Sequence, residues 1–550
     1  MSVERCDMSR TRHLCLFLPH LLVASVCCAV TLPVGDEPSA PIAPTVERSL
    51  RAASADDTEK FLEGLAGSGL IVSQLKTRLQ RGVQVFDIEA VKNVEESAWL
   101  VHINLSTADF REKSQSYERD GYELIIEQGL LSGPRRRWLG VWVQRSAKGS
   151  QLQLPPGDLP VSGSTGEQHE ALNTLILDLL KTEQIPGATL AVLDHNQLVF
   201  ERGFGYSDID TAEPMQPDAV MRIASISKPL TAAATLSLVR AGKLSLDDSL
   251  LDWLAKHSAG WDLAAAREID PRWADIRIRH LLQHTGGFDR TSSRDTMFQL
   301  VPIASALGLK RRLQTNDIVA YQLTQKLDFD PGSEYSYSNV GYCLLGRVLE
   351  AVTGQTYEEC MQQLVLRPCG MQHTQPGRTL RSDRLPGEVR YFVRNRQKVP
   401  LVLDVLRGET RSDPQMVEQP YGQWDIEVMD SHGGWTSTAG DLMRFMKTAM
   451  GEPERRQVAE PIPGLTPEPS SGDAWYGAGW QVRPGAGGRG LNFWHTGRLA
   501  GTSALLVRRY DNRAWAVLFN TDTGSSGKTC AELIDVRLHR AVTAALGPVE

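Results

Sequence analysis

Three short segments contain residues that together could make a serine act as a nucleophile. They are Ser225-Ile226-Ser227-Lys228, Tyr337-Ser338-Asn339 and His495-Thr496-Gly497. A serine hydroxyl attacks a carbonyl carbon only when a basic group takes its proton, and lysine and tyrosine side chains can do this. Single motifs of this kind also arise by chance, since Ser-x-x-Lys recurs at residues 73–76 and 525–528. The chemistry is therefore predicted from the three segments together and in this order.

The sequence around Ser225 predicts the start of a helix. An apolar pattern of helical spacing follows Lys228 and continues to Gly242. A serine in the first turn lies at the positive end of the helix dipole, among backbone N–H groups that lack helical partners. Residues three positions apart share a helix face, so Lys228 can reach the Ser225 hydroxyl. By contrast, Ser525 lies in a loop rich in glycine and serine.

With these motifs the chain resembles the serine β-lactamase and penicillin-binding superfamily, in the branch of class C β-lactamases, DD-peptidases and esterases (peptidase family S12 type). Further segments typical of that branch are Ile185-Pro186-Gly187-Ala188, His280-Leu281-Leu282-Gln283-His284-Thr285-Gly286-Gly287, Gly433-Gly434-Trp435-Thr436-Ser437-Thr438 and Tyr476-Gly477-Ala478-Gly479-Trp480. The resemblance covers residues 168–548. It implies an α/β (α+β) β-lactamase/transpeptidase-like fold, with an antiparallel sheet flanked by helices and a mainly helical subdomain.

The resemblance also implies roles for individual residues. Ser225 would attack a carbonyl carbon and form an acyl-enzyme, while Lys228 and Tyr337 would act as a coupled pair that moves the serine proton to the leaving group. The backbone N–H groups of Ser225 and Arg498 would form the oxyanion hole. The residues assigned to substrate binding are Asn339, His495, Thr496, Gly497 and Arg498.

One residue departs from the lactamase pattern. Most β-lactamases of the superfamily have lysine at the position of His495, and a mostly neutral histidine holds a substrate carboxylate less firmly than an ammonium group does. The class A deacylation pattern Glu-x-x-Leu-Asn does not follow the second motif. We therefore predict hydrolysis of a small-molecule or peptide substrate by a D-amino-acid peptidase or carboxylesterase, with weak β-lactamase activity left open. The alternative is a non-catalytic cell-envelope binding protein that keeps the fold.

Composition indicates a globular chain of two or more domains. The 550 residues are 41% hydrophobic and 23% charged, and the formal net charge of −7 gives no indication of nucleic-acid binding. The cysteines follow no zinc-ligand spacing and His-Glu-x-x-His is absent, so neither a metal nor another cofactor is predicted. Cysteines 343, 360, 369 and 530 are expected to be thiols, with a Cys360–Cys369 disulfide as the alternative.

The N-terminus has the pattern of a secretory signal peptide. Arg5, Arg10 and Arg12 precede an apolar run, residues 14–32, that Pro19 and His20 interrupt. This pattern assigns residues 1–29 to the signal and predicts a secreted or periplasmic chain. An uncleaved anchor and an organelle-targeting segment are the alternatives, and association with the cell envelope is left open.

The remaining sequence predicts four segments after the signal. They are a flexible tether at 30–56, a small α+β domain at 57–145, a linker at 146–166 and the hydrolase domain at 167–550. In the small domain, Gly82 aligns with Gly121 and Trp99 with Trp138, which predicts two repeats of 39 residues. Helices are expected at 73–80 and 106–119, before each glycine. The domain resembles bacterial tandem-repeat units that are fused to such hydrolases.

Two groups of residues allow more than one interpretation. The tryptophans Trp99, Trp138 and Trp142 form either a face for an unknown ligand or, as we expect, packing between the repeats. Residues 376–430 contain seven basic side chains that we expect to form a solvated surface, with attraction of acidic substrates as the alternative. These side chains are Arg378, Arg381, Arg384, Arg390, Arg394, Arg396 and Lys398.

Overall fold

The structure is a computed structural model that describes most of the chain after residue 45. The described ranges are 46–65, 68–80, 83–92, 98–119, 122–132, 135–144, 152–163, 169–407, 415–462, 464–466 and 472–547. The predicted signal peptide lies outside them. The chain divides into two compact units, Met1–Ser150 and Gln151–Glu550.

The described part of the first unit consists of two three-stranded antiparallel sheets and two helices. In chain order the elements are β1 (Val46–Ala53), α1 (Ala55–Glu63), β2 (Leu70–Gln80), β3 (Val83–Lys92), β4 (Ala98–Leu105), α2 (Thr107–Arg119), β5 (Glu123–Ser132) and β6 (Arg135–Gln144). The strand orders are β1-β3-β2 and β4-β6-β5. The Gln128 side chain joins the two sheets, because its amide accepts from the Thr77 N–H at 2.7 Å and donates to the Thr77 carbonyl at 2.9 Å.

The order strand-helix-strand-strand occurs twice in this unit, but not with the predicted period. Equivalent elements begin 52 or 53 residues apart, so the 39-residue period is wrong. The predicted helix at 73–80 is also wrong, since these residues lie in β2. A register shift between Val72 and Gln74 leaves the buried Val72 and Leu75 three positions apart, which is the spacing of a helix. The unit also begins earlier than predicted, because residues 46–53 of the expected tether form β1.

The tryptophans of the first unit pack inside it. Trp99 is 5% exposed and Trp142 is 1% exposed, and the two belong to different apolar clusters. The Trp138 ring stacks on Phe110 with 5.2 Å between ring centroids. Gly140 makes room for Trp142, because a Cβ at this glycine would lie 2.5 Å from the indole. Packing therefore accounts for all three tryptophans.

The second unit has a large antiparallel sheet and several short strand pairs. Its described strands are β7 (Val161–Ser162), β8 (Gly187–Asp194), β9 (Gln197–Asp208), β10 (Glu213–Pro214), β11 (Met221–Arg222), β12 (Gln375–Pro376), β13 (Lys398–Pro400), β14 (Met416–Glu418), β15 (Trp435–Ser437), β16 (Trp475–Tyr476), β17 (Gln481–Pro484), β18 (Leu491–Leu499), β19 (Thr502–Arg508) and β20 (Ala514–Phe519). The order in the large sheet is β10-β9-β8-β20-β19-β18-β17-β16, with β7 paired to β9.

Helices cover this sheet and form a separate region beside it. The described helices are α3 (Glu170–Glu183), α4 (Ser227–Arg240), α5 (Leu250–Leu254), α6 (Leu263–Ile269), α7 (Ile278–Leu282), α8 (Leu300–Ala306), α9 (Thr315–Gln322), α10 (Asn339–Thr353), α11 (Tyr357–Met361), α12 (Arg367–Cys369), α13 (Val402–Leu406), α14 (Ala439–Ala449), α15 (Glu452–Val458) and α16 (Cys530–Leu546). A π-helical turn, Gln362–Leu366, joins α11 to α12. In the described ranges, none of the helices is both long and apolar enough to cross a bilayer.

Both faces of the large sheet are buried, which explains its continuous apolar strands. In β20, Ala514, Ala516 and Leu518 belong to the apolar cluster that also contains residues of α4 and α10. Trp515 and Val517 alternate with them and belong to the cluster that contains residues of α3 and α16. Every residue of β20 is buried. The predicted fold class, an antiparallel sheet flanked by helices with a mainly helical subdomain, is confirmed.

The predicted linker, residues 146–166, differs from the structure over residues 152–163. Leu152 and Leu159 are buried, and β7 pairs with β9 through Val161↔Phe204. Residues 152–163 therefore belong to the second unit, because two leucines find apolar partners there. All four described cysteines are buried thiols, Cys360 and Cys369 among them.

Candidate active site

Ser225 lies in a tight turn between a short strand and a long helix. The chain leaves β11, forms a 3-10 turn over Ala224–Ile226 and continues directly into α4. Ala224 has a φ of 45°, a conformation that costs energy for a residue with a Cβ. The Ser227 hydroxyl donates to the Ala224 carbonyl at 2.7 Å and closes the turn. This turn leaves Ser225 half-buried at the surface of the cleft, while the helix that follows it is mostly buried.

Lys228 is fully buried beside the serine. Its Nζ lies 3.2 Å from the Ser225 hydroxyl, 2.6 Å from Asn339 Oδ1 and 2.9 Å from the His432 carbonyl oxygen. Burial lowers the pKa of Lys228 well below its usual value, and the Arg290 charge lowers it further, while Asp295 opposes both. A neutral amine has two N–H donors and one lone pair. If Asn339 and His432 accept the two donors, the lone pair is directed at Ser225.

Tyr337 is held on the other side of the serine by His284. The His284 carbonyl accepts from the Ser336 N–H at 2.9 Å, and its ring Nδ1 accepts from the Ser338 N–H at 3.1 Å. The His284 and Tyr337 rings lie 4.3 Å apart between centroids. Burial raises the pKa of Tyr337, and a hydrogen bond with Ser225 acts in the opposite direction. Tyr337 therefore stays protonated beside the serine at neutral pH.

Asn339 is oriented by a carboxylate that sequence analysis missed. Its Nδ2 donates to Asp295 Oδ2 at 2.6 Å, which turns Oδ1 toward Lys228. Asp295 also accepts from the Met297 N–H at 3.1 Å, so both of its oxygens are engaged. Asp295 precedes Asn339 by 44 residues and lies in a loop without a recognisable motif. His284 was within a recognised segment, His280–Gly287, but had no predicted role.

The carbonyl of His432 is fixed by a buried ion pair. Arg347, which is 2% exposed in α10, donates to Asp430 at 2.6 Å. Asp430 in turn accepts from the Ser431 hydroxyl at 2.8 Å. These contacts hold residues 430–432 in place, so the second acceptor of Lys228 belongs to the rigid core.

Strand β18 forms the facing wall of the cleft, and its side chains alternate. Thr496 and Arg498 are exposed, whereas His495 and Gly497 are buried. A Cβ at residue 497 would collide with the Ile223 carbonyl oxygen and lie 3.4 Å from Ala224 Cβ. Glycine at this position therefore allows the strand to run close to the Ser225 turn. The predicted oxyanion hole, formed by the backbone N–H groups of Ser225 and Arg498, stays a prediction.

His495 differs from its predicted role as a substrate-binding residue. It is 2% exposed, and its ring Nε2 bonds to the Tyr476 hydroxyl at 2.9 Å and Nδ1 to the Thr496 carbonyl at 2.7 Å. Since a carbonyl only accepts, Nδ1 carries the proton and Nε2 accepts from Tyr476. Burial, assisted by the Lys228 charge, lowers the pKa of His495 to about 3. The ring is therefore neutral and has no free donor for a substrate.

An open cavity adjoins Tyr335 and Tyr476 near the cleft. It has a volume of about 310 Å³. Its lining is largely apolar and aromatic, and consists of Tyr335, Ile462, Leu465, Thr466, Ala474, Trp475, Tyr476 and Gln481. The Tyr335 and Tyr476 rings lie 6.1 Å apart between centroids. An apolar substituent of a substrate fits this lining.

The basic residues of 376–430 are less available than predicted. Arg390 is 6% exposed and pairs with Asp208, Asp210 and Glu418. Arg396 also pairs with Asp210, at 2.8 Å. These ion pairs attach the segment to the sheet, so the predicted solvated surface is wrong at Arg390. Among the described residues, no group of His, Cys, Asp and Glu side chains could hold a metal ion.

Residues 172–538 match the beta-lactamase family, and the chain belongs to it. The chain is 34% identical over 255 residues to a probable fimbrial assembly protein FimD of Dichelobacter nodosus, a match that covers 46% of this chain and 54% of the relative. It is 30% identical over 207 residues to the esterase EstB of Burkholderia gladioli, covering 36% and 49% of the two chains. The chain thus spans about half the length of the curated relatives it matches.

A solved structure gives the same fold. The D-amino acid amidase of Ochrobactrum anthropi SV3, complexed with L-phenylalanine, superposes with a TM-score of 0.51 at 18% sequence identity. The match covers 69% of this chain and 99% of the amidase. At this identity the likeness establishes the fold alone. The predicted membership of the β-lactamase-related serine hydrolases is confirmed by the family match.

Proposed function

We propose that this chain is a serine hydrolase that acts on a peptide, ester or amide through an acyl-enzyme at Ser225. The observation that carries the proposal is the environment of Lys228. Two acceptors, the Asn339 Oδ1 and the His432 carbonyl, are fixed by the surrounding core, and the remaining direction of Nζ faces the Ser225 hydroxyl at 3.2 Å. A lysine held in this way is suited to take the serine proton.

Acylation uses both neighbours of the serine. As Ser225 Oγ attacks the carbonyl carbon, its proton moves to Lys228, and the carbonyl oxygen becomes an oxyanion. When the tetrahedral intermediate collapses, the bond to the leaving group breaks and the Tyr337 hydroxyl gives that group its proton. The tyrosinate then lies beside the new ammonium group, whose nitrogen is 4.7 Å from the ring centroid. Because the ammonium and the tyrosinate interact at this distance, the pair titrates as a unit.

Deacylation returns both protons. Water attacks the acyl carbon and gives a proton to the Tyr337 oxygen. As the ester bond to Ser225 breaks, the Lys228 ammonium returns its proton to the serine oxygen. The products are the free acid and the original enzyme, and neither a metal nor a cofactor takes part in this proposal.

A D-amino-acid peptidase or carboxylesterase is favoured over a strong β-lactamase. The neutral, buried His495 provides no fixed ammonium for a lactam carboxylate. The similarity to the esterase EstB supports ester hydrolysis. The apolar cavity beside Tyr335 suits an apolar part of the substrate. Weak β-lactamase activity is a secondary expectation.

Intact-mass measurement tests the nucleophile. The natural chain is incubated with a fluorophosphonate and, separately, with a penicillin, beside Ser225→Ala. Ser525→Ala is the matched control, because Ser525 belongs to a second Ser-x-x-Lys and its hydroxyl lies 3.2 Å from Glu183. We expect a fluorophosphonate adduct on the natural chain and on Ser525→Ala, and none on Ser225→Ala. If neither reagent labels the folded natural chain, the non-catalytic binding protein becomes the better explanation.

We also propose that the chain is exported. The support is the basic N-terminus followed by the apolar run at residues 14–32. Residues 1–60 fused to a reporter that folds only in an oxidising compartment should activate that reporter. Deleting residues 14–32 from the fusion should abolish the signal, and an unchanged signal would contradict export by this segment.

A further inference from the structure

Arg290 places a guanidinium group at the mouth of the cleft. It lies in the loop between α7 and α8, and its Cζ is 5.1 Å from the centroid of the Tyr337 ring. The side chain is exposed. Within the ranges that the structure describes, Arg290 forms neither an ion pair nor a hydrogen bond. Its five N–H donors are therefore available to a bound molecule.

The Arg290 charge acts on several groups of the site. Burial is the main cause of the lowered pKa of Lys228 and of His284, and Arg290 lowers the pKa of both further. Burial also raises the pKa of Tyr335 to about 12, against the effect of the same guanidinium. A molecule bound near the Ser225 hydroxyl lies in the field of Arg290.

The other basic and acidic groups around the site are already engaged. The Lys228 Nζ is buried beside its two acceptors, Asn339 Oδ1 and the His432 carbonyl, and the Arg498 side chain pairs with Asp522 at 3.3 Å. The carboxylate of Asp295 accepts from Asn339 and from a backbone N–H. An anionic group on a substrate can therefore bind Arg290. A cationic group would have to compete for the Asp295 carboxylate, which already accepts two hydrogen bonds.

We propose that Arg290 binds a carboxylate carried by the leaving group of the substrate. This inference rests on the proposed hydrolase function. We assign the carboxylate to the leaving group because Arg290 lies over the ring of Tyr337. In the proposed mechanism, Tyr337 is the residue that gives the leaving group its proton. A guanidinium group can bind a carboxylate through two parallel hydrogen bonds. Arg290 is thereby a specificity residue for anionic leaving groups.

A pair of matched esters tests this assignment. Phenyl acetate and 3-acetoxybenzoate share the acetyl group and have similar phenolic leaving groups, but only the second carries a carboxylate. We compare kcat/KM for the two esters in the natural chain, Arg290→Gln, Arg290→Lys and Arg294→Gln. Arg294→Gln removes the same charge from the same exposed loop. A second pair, phenyl valerate and monophenyl glutarate, places the carboxylate on the acyl side.

We expect Arg290→Gln to lower the ratio of anionic to neutral ester in the first pair by about tenfold, since an ion pair with two hydrogen bonds in a cleft contributes about 1.4 kcal/mol. Arg290→Lys should recover part of the ratio, Arg294→Gln should keep it, and rising salt should lower it in the natural chain.

Three outcomes would overturn the proposal. An unchanged ratio in Arg290→Gln would show that the residue does not bind the carboxylate, and an equal loss with both esters would reduce its role to an effect on Lys228. A selective loss confined to the glutarate pair would place the carboxylate on the acyl side instead. If the natural chain hydrolyses none of the esters and forms no fluorophosphonate adduct, the hydrolase proposal fails first and this one fails with it.

Discussion

The two walls of the cleft each bury a basic side chain, but the two side chains differ in how many of their hydrogen-bonding positions are occupied by protein groups. On the helical wall, Lys228 has two acceptors fixed by the core, and its third direction faces the Ser225 hydroxyl. On the strand wall, both nitrogens of His495 are bonded to protein groups. Burial lowers the pKa of both side chains. Burial therefore makes a base neutral, and only a lone pair left free beside the nucleophile makes it useful in catalysis.

The strongest test of this comparison removes the base. Lys228→Met keeps an unbranched side chain that ends one atom earlier, and it has no nitrogen to accept the Ser225 proton. We expect kcat/KM for an activated ester to fall by about 10⁴-fold, the upper range for loss of a general base. Thermal stability should also fall, because the buried Asn339 Oδ1 and His432 carbonyl lose the donor that Lys228 provides.

Lys243→Met is the matched control, since Lys243 is exposed just after α4. It should keep the activity of the natural chain. If Lys228→Met retained activity within tenfold, the proton would have to move to Tyr337 instead. The distinction between the two walls would then be wrong.

The residues of the site that are close together in the sequence could be predicted, whereas those brought together by long-range packing could not. Ser225 and Lys228 could be predicted because they lie three positions apart in one continuous helical segment. Asp295 and the His432 carbonyl could not, since Asp295 lies 44 residues before Asn339, His432 lies 204 residues after Lys228, and a backbone carbonyl has no sequence signature. The large sheet of the second unit was predictable from the family motifs. In β2, the register shift after Val72 gives the buried residues a helical spacing, so residues 73–80 were predicted to be a helix.

The second test concerns the residue that holds Tyr337. His284→Leu removes the ring acceptor of the Ser338 N–H, so the tyrosine should move relative to Ser225. A displacement of about 1 Å can cost about 100-fold in rate, and we expect a loss of that size in kcat with a smaller change in KM.

His284→Asn separates positioning from packing. Asparagine offers a side-chain oxygen and tolerates the positive φ of 59° at this position. It should recover part of the lost kcat, while both variants melt at a lower temperature than the natural chain. Equal kcat values in the two variants would show that His284 acts through packing alone.

A third, smaller effect should appear in the pH dependence. Neutral Lys228 is the active form, so kcat/KM is present above its pKa and is lost as the pH falls through it. The negative charge of Asp295 raises the pKa of Lys228. Asp295→Asn keeps an oxygen for the Asn339 amide but removes the charge, so the acidic limb of the profile should move to lower pH. A limb that stays in place or moves to higher pH would mean that it does not report Lys228.

The smallest effect on activity is expected from substitution of His495. Its main effect should be on the pH dependence of the free energy of unfolding. The pKa of His495 is about 3 in the folded chain against an ordinary value of 6.5. Between these values the unfolded chain binds the extra proton, so this histidine makes folding less favourable as the pH falls below 6.5. Its contribution between pH 7 and pH 5 is about 2 kcal/mol of unfolding free energy. His495→Gln should remove that part of the pH dependence in urea unfolding and keep most of the activity on an activated ester. If His495→Gln abolished activity at unchanged stability, the strand wall would supply a catalytic base after all.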